Sequence, residues 1–177
     1  LPDARKREYM ERYGLSAYDG EVLTTNMAMA DYFEAAAAQT RYPKLVANML
    51  LSEVMRLAGG EEDVCRIQPS RMAALADLSG VGIINSATVK KLIKELWETD
   101  FDVADKVERE GLAQVSDEMI LLEWVQEAIR QNPKSVADYK KGKKAAAKAI
   151  VGKVMAVSGG RANPTVVDRL VELELNQ

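Results

Sequence analysis

Ten lysines and arginines lie between Arg130 and Arg169 against two acids, Asp138 and Asp168, a local charge of +8 in a chain whose total is −3. A positive field of that size on an acidic chain suits a polyanion, and RNA is the partner it points to. At about 100° per residue, Lys140, Lys141, Lys144 and Lys148 share one arc, provided the helix runs unbroken through Gly142. Gly152 and Met155 continue that stripe. Lys153 and Arg161 complete the candidate RNA-binding set, which is therefore Lys140, Lys141, Lys144, Lys148, Gly152, Lys153 and Arg161. Arg161 follows Gly159-Gly160, and a glycine-rich bend can turn backbone N–H groups toward a phosphate that an arginine then grips. Two plainer readings stand beside this one. A lysine stripe also serves as a solubilising surface, and a glycine pair also serves as a helix stop. Gly152, which costs its helix about 1 kcal/mol relative to alanine, marks a close approach either by a packed helix or by a ligand backbone.

Other chemistry is excluded by absence. The chain has no histidine, so the commonest general base and metal ligand near neutral pH are missing, and no catalytic or metal-binding set is expected. Cys65 is the only cysteine; it can form no internal disulfide and has no histidine to activate it, so a small apolar filler is expected. The acidic run Glu61-Glu62-Asp63 reads as a solvated loop. A single thiol, no apolar run of the ~18 residues that span a bilayer and no signal-peptide pattern lead to the expectation of a soluble cytoplasmic protein.

The elements that must position the cations are helices. Of the 177 residues 47% are hydrophobic and only 6% aromatic, and the abundance of Ala, Leu, Met and Val predicts an all-α chain. Glycines, prolines and caps divide it into two groups with a boundary at Glu110 to Ala113: a helical domain over 1–111 and a small bundle-like tail over 112–177. In the first group, helices are predicted from Asp3 to Tyr13, after a Ser16 cap, after a cap at Thr24 or Thr25, from Pro43 to Gly59-Gly60, from Pro69 to Ser79, after Asn85 or Ser86, and from Asp102 to Glu110. In the second, Ser116 caps a helix to Gln131, and Asn132-Pro133 and Asn163-Pro164 open two more as cap and first helical residue. In between, a short helix over Val136 to Lys141 leads to a longer one ending near Val157. Ala146, Ile150, Val154 and Val157 form its core arc.

A colinear set of landmarks runs through both groups. It begins with Leu1-Pro2-Asp3-Ala4-Arg5, Gly14-Leu15, Tyr18-Asp19, Val22-Leu23-Thr24 and Ala30-Asp31-Tyr32-Phe33-Glu34. It continues through Ala47-Asn48, Leu50-Leu51, Glu53, Trp97-Glu98-Thr99, Gly111-Leu112 and Gln114-Val115-Ser116-Asp117. Asn132-Pro133, Tyr139, Gly142-Lys143, Val151-Gly152, Val154-Met155, Gly160 and Ala162-Asn163-Pro164 close it. In these the chain resembles the C-terminal part of the GatB family, the B-type subunits of the aspartyl/glutamyl-tRNA amidotransferases, with a helical domain and a YqeY-like tail.

The resemblance implies a tRNA-holding, non-catalytic piece of a heterotrimeric, glutamine-dependent ligase that converts Glu-tRNA(Gln) or Asp-tRNA(Asn) to the amidated form. It implies tRNA and the A and C subunits as partners. ATP and Mg²⁺ act in an N-terminal cradle domain that this chain lacks, so no cofactor is expected here. The alternative is an assembly module that meets protein partners through an apolar patch around Met155 and Val157. Where the family commonly has Met-Lys and Lys-Gly before Ala-Asn-Pro, this chain has Met155-Ala156 and Gly159-Gly160, which shifts weight onto Lys140, Lys141, Lys144, Lys148 and Arg161.

Overall fold

Four prolines, Pro43, Pro69, Pro133 and Pro164, each open a helix, because a residue without an N–H loses nothing in a first turn whose donors have no partner. The computed structural model describes residues 2–59 and 65–177; Glu61-Glu62-Asp63 and the second glycine of Gly59-Gly60 lie outside them. The protein is all-α, and the extended pairing among the described residues is one isolated bridge, Val115 to Ala162. It forms two compact units, Leu1–Leu112 and Ala113–Gln177.

The first unit contains α1 (Pro2–Tyr13), α2 (Ala17–Thr25), α3 (Met27–Ala37), α4 (Pro43–Met49), α5 (Met55–Ala58), α6 (Pro69–Gly80), α7 (Ser86–Glu98) and α8 (Val103–Arg109). A π-helical turn, Leu50–Val54, joins α4 to α5. Tyr9, Tyr13 and Phe33 meet edge to face with ring centroids 5.0–5.8 Å apart, an arrangement that sets the positive ring edge against the negative face. The buried Tyr9 hydroxyl donates to the Ala30 carbonyl at 3.2 Å, and Arg5 spans Asp31 and Glu34 on α3. Around α6, Leu75, Leu92, Ile93 and Leu50 are buried in the same core.

The cap predictions at Ser16, Asn85 and Asn163 hold, and two others move by one or two residues. Ser16 Oγ accepts from the Asp19 N–H at 3.0 Å, and Asn85 Oδ1 accepts from the Thr88 N–H at 3.1 Å. The interruption assigned to Thr24 or Thr25 belongs to Asn26, whose side chain accepts from the Met29 N–H. Both threonine hydroxyls instead bond back to carbonyls of α2, at Gly20 and Glu21, a competing local bond open to any helical threonine.

Gly80 is fixed by contact. A Cβ built there would lie 2.5 Å from the body of the Tyr42 ring, inside any van der Waals separation. Gly80→Ala should cost about 1–3 kcal/mol as an overpacking change, although alanine is the better helix former. Chemical denaturation checks this, and a stabilised variant would show that Tyr42 yields freely.

The second unit contains α9 (Glu118–Gln131), α10 (Pro133–Lys140), a 3₁₀ turn (Lys144–Ala146), α11 (Ala147–Val157) and α12 (Pro164–Leu175). Helices α9, α11 and α12 pack against one another around Leu121, Val125, Ile150, Val154, Val167, Val171 and Leu175. Asp117, not Ser116, caps α9: its carboxylate accepts from the Met119 and Ile120 N–H groups at 2.9 and 3.2 Å. Ser116 Oγ accepts from Asn163 Nδ2 instead. The two Asn-Pro pairs also differ. Asn163 caps α12, whereas Asn132 turns its amide back onto the Ala128 carbonyl of α9 at 2.7 Å.

Candidate nucleic-acid interface

The single lysine stripe does not survive Gly142. That residue sits at φ +99°, the Gly142 N–H returns to the Tyr139 carbonyl at 2.9 Å, and the Lys143 N–H returns to the Asp138 carbonyl at 3.0 Å. This pair of bonds ends a helix with a left-handed glycine. Lys140 therefore belongs to α10, Lys141 to its cap, Lys144 to the 3₁₀ turn, and Lys148 and Lys153 to α11.

Three of the seven candidate residues have work inside the unit. Lys140 Nζ donates to the Leu175 carbonyl at 2.6 Å and to a Gln177 oxygen at 3.1 Å, placing a cation at the C-terminal, negative end of α12. Lys144 Nζ lies 4.6 Å from the centroid of the Tyr139 ring and 3.4 Å from its hydroxyl. Arg161 is half-buried, and its Nε donates to the Ala113 carbonyl at 3.4 Å. It lies where Val115 N–H meets the Arg161 carbonyl at 2.7 Å.

The glycine turn is a stop. The Gly160 N–H returns to the Met155 carbonyl at 2.8 Å and the Gly159 N–H to the Ala156 carbonyl at 3.1 Å, so these donors close α11 in the same manner as Gly142 closes α10. The core arc of α11 is corrected at its last position. Ile150 and Val154 are buried, but Val157 is 72% exposed. The buried place one position on belongs to Ser158, whose hydroxyl donates to the Met155 carbonyl and accepts from the Ala162 N–H. Met155, assigned to the exposed stripe, packs in part against the core.

What remains is the solvent face of α11: Lys148, Ala149, Gly152, Lys153, Ala156 and Val157 are all exposed. At about 100° per residue, Lys148 and Lys153 flank a strip made by Gly152, Ala156 and Ala149. No side chain or neighbouring backbone comes within 4 Å of the place a Gly152 Cβ would occupy. Close helix packing within the unit is thus ruled out as the reason for the glycine. Arg130 and Arg169 pair with Glu127 and Glu118, while Lys141, Lys148 and Lys153 stand exposed with no carboxylate partner among the described residues. Lys134 and Lys143 are exposed in the same way; in the sequence Lys134 entered only through the charge count, and Lys143 through that count and the Gly142-Lys143 landmark.

Cys65 is partly buried, and burial pushes its thiol up, with Tyr32 and the Ile67 backbone opposing the shift. Such a thiol is a poor nucleophile. Among the described residues there is no group of three or more metal-ligating side chains, and no helix is long and apolar enough to cross a membrane.

A family profile described as the GatB domain matches residues 31–175. The chain is similar to proteins named as the B-type subunit of aspartyl/glutamyl-tRNA(Asn/Gln) amidotransferase. It is 37% identical to that of Caldicellulosiruptor bescii, 41% to that of Geobacillus thermodenitrificans and 39% to that of Staphylococcus carnosus. Each similarity covers 100% of this chain and 38% of the relative, so the chain spans less than half the length of these proteins.

Proposed function

This chain belongs to the GatB family, and from that premise we propose that its second unit is a tRNA-holding surface of an aspartyl/glutamyl-tRNA amidotransferase. The parent complex converts Glu-tRNA(Gln) or Asp-tRNA(Asn) to the amide. In this reading ATP, Mg²⁺ and the chemical step belong to parts of the parent outside this chain, which itself performs no catalysis. The A and C subunits are its protein partners. The relatives named above carry tRNA in their names; the residues here supply the means of gripping it.

The observation that carries the proposal is the outer face of α11. Two exposed lysines flank a strip of glycine and alanines with open space above Gly152. Small residues let a phosphodiester backbone come close to the helix, and the lysines meet its charge from both sides. Such contacts read shape and phosphate spacing more than base sequence. Lys141, Lys143 and Lys134 extend the positive field along the neighbouring segments.

Titrating the chain with tRNA at two salt concentrations tests the reading. Phosphate contact predicts affinity that falls steeply as salt rises, because counterions released from the RNA must be returned. Affinity indifferent to salt would favour the second reading, an assembly module. That reading has its own observation: Val157 at 72% and Met119 at 80% are exposed apolar side chains of the kind a protein partner covers.

Gly152→Ala separates local stability from binding. Alanine fits the open space and should stabilise the unit by about 0.5–1 kcal/mol, while weakening tRNA binding if the backbone approaches there. A variant that is more stable and binds as before would remove Gly152 from the interface.

A further inference from the structure

The first unit holds a cavity that the tRNA-holding surface does not use. It has a volume of about 310 Å³ and lies where α4 and the π-helical turn meet α6 and α7, within the range of pockets that take small molecules, roughly 300–1,000 Å³. Its apolar wall is Leu45, Met49 and Val89. Its polar part is unusual for an apolar cleft: the Glu53 carboxylate, carried by the π turn, lines it while only 5% exposed. Lys90, whose side chain is 55% exposed, lines it as well and places Nζ 3.6 Å from Glu53 Oε1. Asn48 stands at the exposed rim.

A buried carboxylate is costly unless its oxygens are met. Arg56 Nη1 reaches Glu53 Oε1 at 3.2 Å and Oε2 at 3.4 Å, and Lys90 approaches Oε1 alone. An ionised carboxylate offers about four acceptor sites, so Glu53 keeps capacity to accept from a ligand. A π turn inserted in an α-helix also sacrifices regular bonding, and such turns gather at functional sites. The wall is apolar, the buried group accepts only, and the cation sits toward solvent. A ligand fitting that order carries N–H donors on a planar ring and an anion a short distance away.

We propose that this cavity binds a nucleotide, with its base against Leu45, Met49 and Val89, its N–H donors on the Glu53 carboxylate and its phosphate at Lys90. Guanine fits best, because its ring N–H and its exocyclic amino group stand side by side and both face one carboxylate. Adenine and cytosine offer an amino group alone. Uracil fits worst, since its one N–H lies between two carbonyl oxygens that the carboxylate repels. The nucleotide is either free or part of a single-stranded stretch of RNA, and the chemistry at Glu53 is the same for both.

Isothermal titration of the whole chain with GMP, AMP, CMP and UMP, and with short single-stranded oligoribonucleotides containing or lacking guanosine, tests the assignment. GMP or the guanosine-containing oligonucleotide should bind about tenfold more tightly than its uridine counterpart, the discrimination expected of a good paired contact to a base edge. Saturation by GMP itself identifies a free nucleotide as the source; saturation only by the oligonucleotide identifies RNA. Glu53→Gln, nearly equal in shape, should bring the guanine-to-uracil ratio close to one. Asn48→Trp, made at an exposed position, should close the rim and abolish binding with the melting temperature unchanged. Lys148→Glu with Lys153→Glu should leave nucleotide binding at this cavity as it was, so failure here and failure of the α11 surface are read separately. No saturation by any probe at millimolar concentration, equal binding of guanine and uracil probes, or wild-type binding by Asn48→Trp overturns the proposal.

Discussion

Changing Lys148 and Lys153 together to glutamate should lower tRNA affinity by at least about tenfold at low salt and reduce the magnitude of the salt slope by roughly two, one for each phosphate contact removed. The two side chains were chosen because they are exposed on the outer face of α11 and make no ion pair among the described residues whose loss could disturb the fold. Lys140 and Lys144 would be poorer choices. Removing Lys140 takes a cation from the carbonyl end of α12, and removing Lys144 uncovers the Tyr139 ring, so a loss of binding there would mix recognition with stability. Net charge alone must also be controlled. Lys91 and Lys94, exposed on α7, permit the same change of charge in the first unit, and their reversal should affect tRNA far less. Equal losses from the two pairs would reduce the effect to overall charge. No loss from the α11 pair would remove that face as the contact surface.

Ile150→Ala is expected to destabilise the second unit by about 2–5 kcal/mol. Ile150 is 0% exposed in the core that α9, α11 and α12 share, and truncation leaves a cavity that surrounding helices can only partly fill. Small domains bury a modest fraction of their surface and hold only about 5–15 kcal/mol in total. A loss of that size therefore brings the unit close to unfolding at physiological temperature. Trp124, half-buried in α9 against the same core, reports the transition by fluorescence in urea once Trp97 is replaced by phenylalanine. A shift worth less than about 1 kcal/mol would contradict the packing described for Ile150. The loss of the folded unit should also carry tRNA binding with it, while Lys148→Glu with Lys153→Glu loses binding at unchanged stability.

Much of the helical framework is legible locally. Proline at the first helical position and asparagine or serine before it act through one turn of chain, which is why Pro43, Pro69, Pro133 and Pro164 and the caps at Ser16, Asn85 and Asn163 fall where the residues predict. Where two capping residues adjoin, the local rule cannot choose. Asp117 prevailed over Ser116 because Ser116 was engaged by Asn163, 47 residues away in sequence. For a different reason, the burial of Glu53, which the sequence offered only as a family landmark, was not legible. A glutamate four residues after Met49 and three after Leu50 sits on an apolar helical face, but only its contact with Arg56 and Lys90 permits a charge to be buried there.

The sequence by itself determined that the chain is helical, that it lacks the histidine chemistry of common active sites, that it resembles the GatB family, and that its positive charge gathers after Arg130. These follow from composition, from turn-length signals and from colinear landmarks. Tertiary structure alone decided which cations face solvent. A helical arc assigns Lys140 and Lys144 to the same surface as Lys148, and Arg161 joins them through the glycine bend. The glycine at φ +99° divides the arc, and the end of α12, the Tyr139 ring and the Ala113 carbonyl engage Lys140, Lys144 and Arg161. Those partners lie as far as 48 residues away along the chain, beyond the reach of any periodicity. A charge count locates a field, but the groups free to meet a phosphate are those the folded chain has left without another partner.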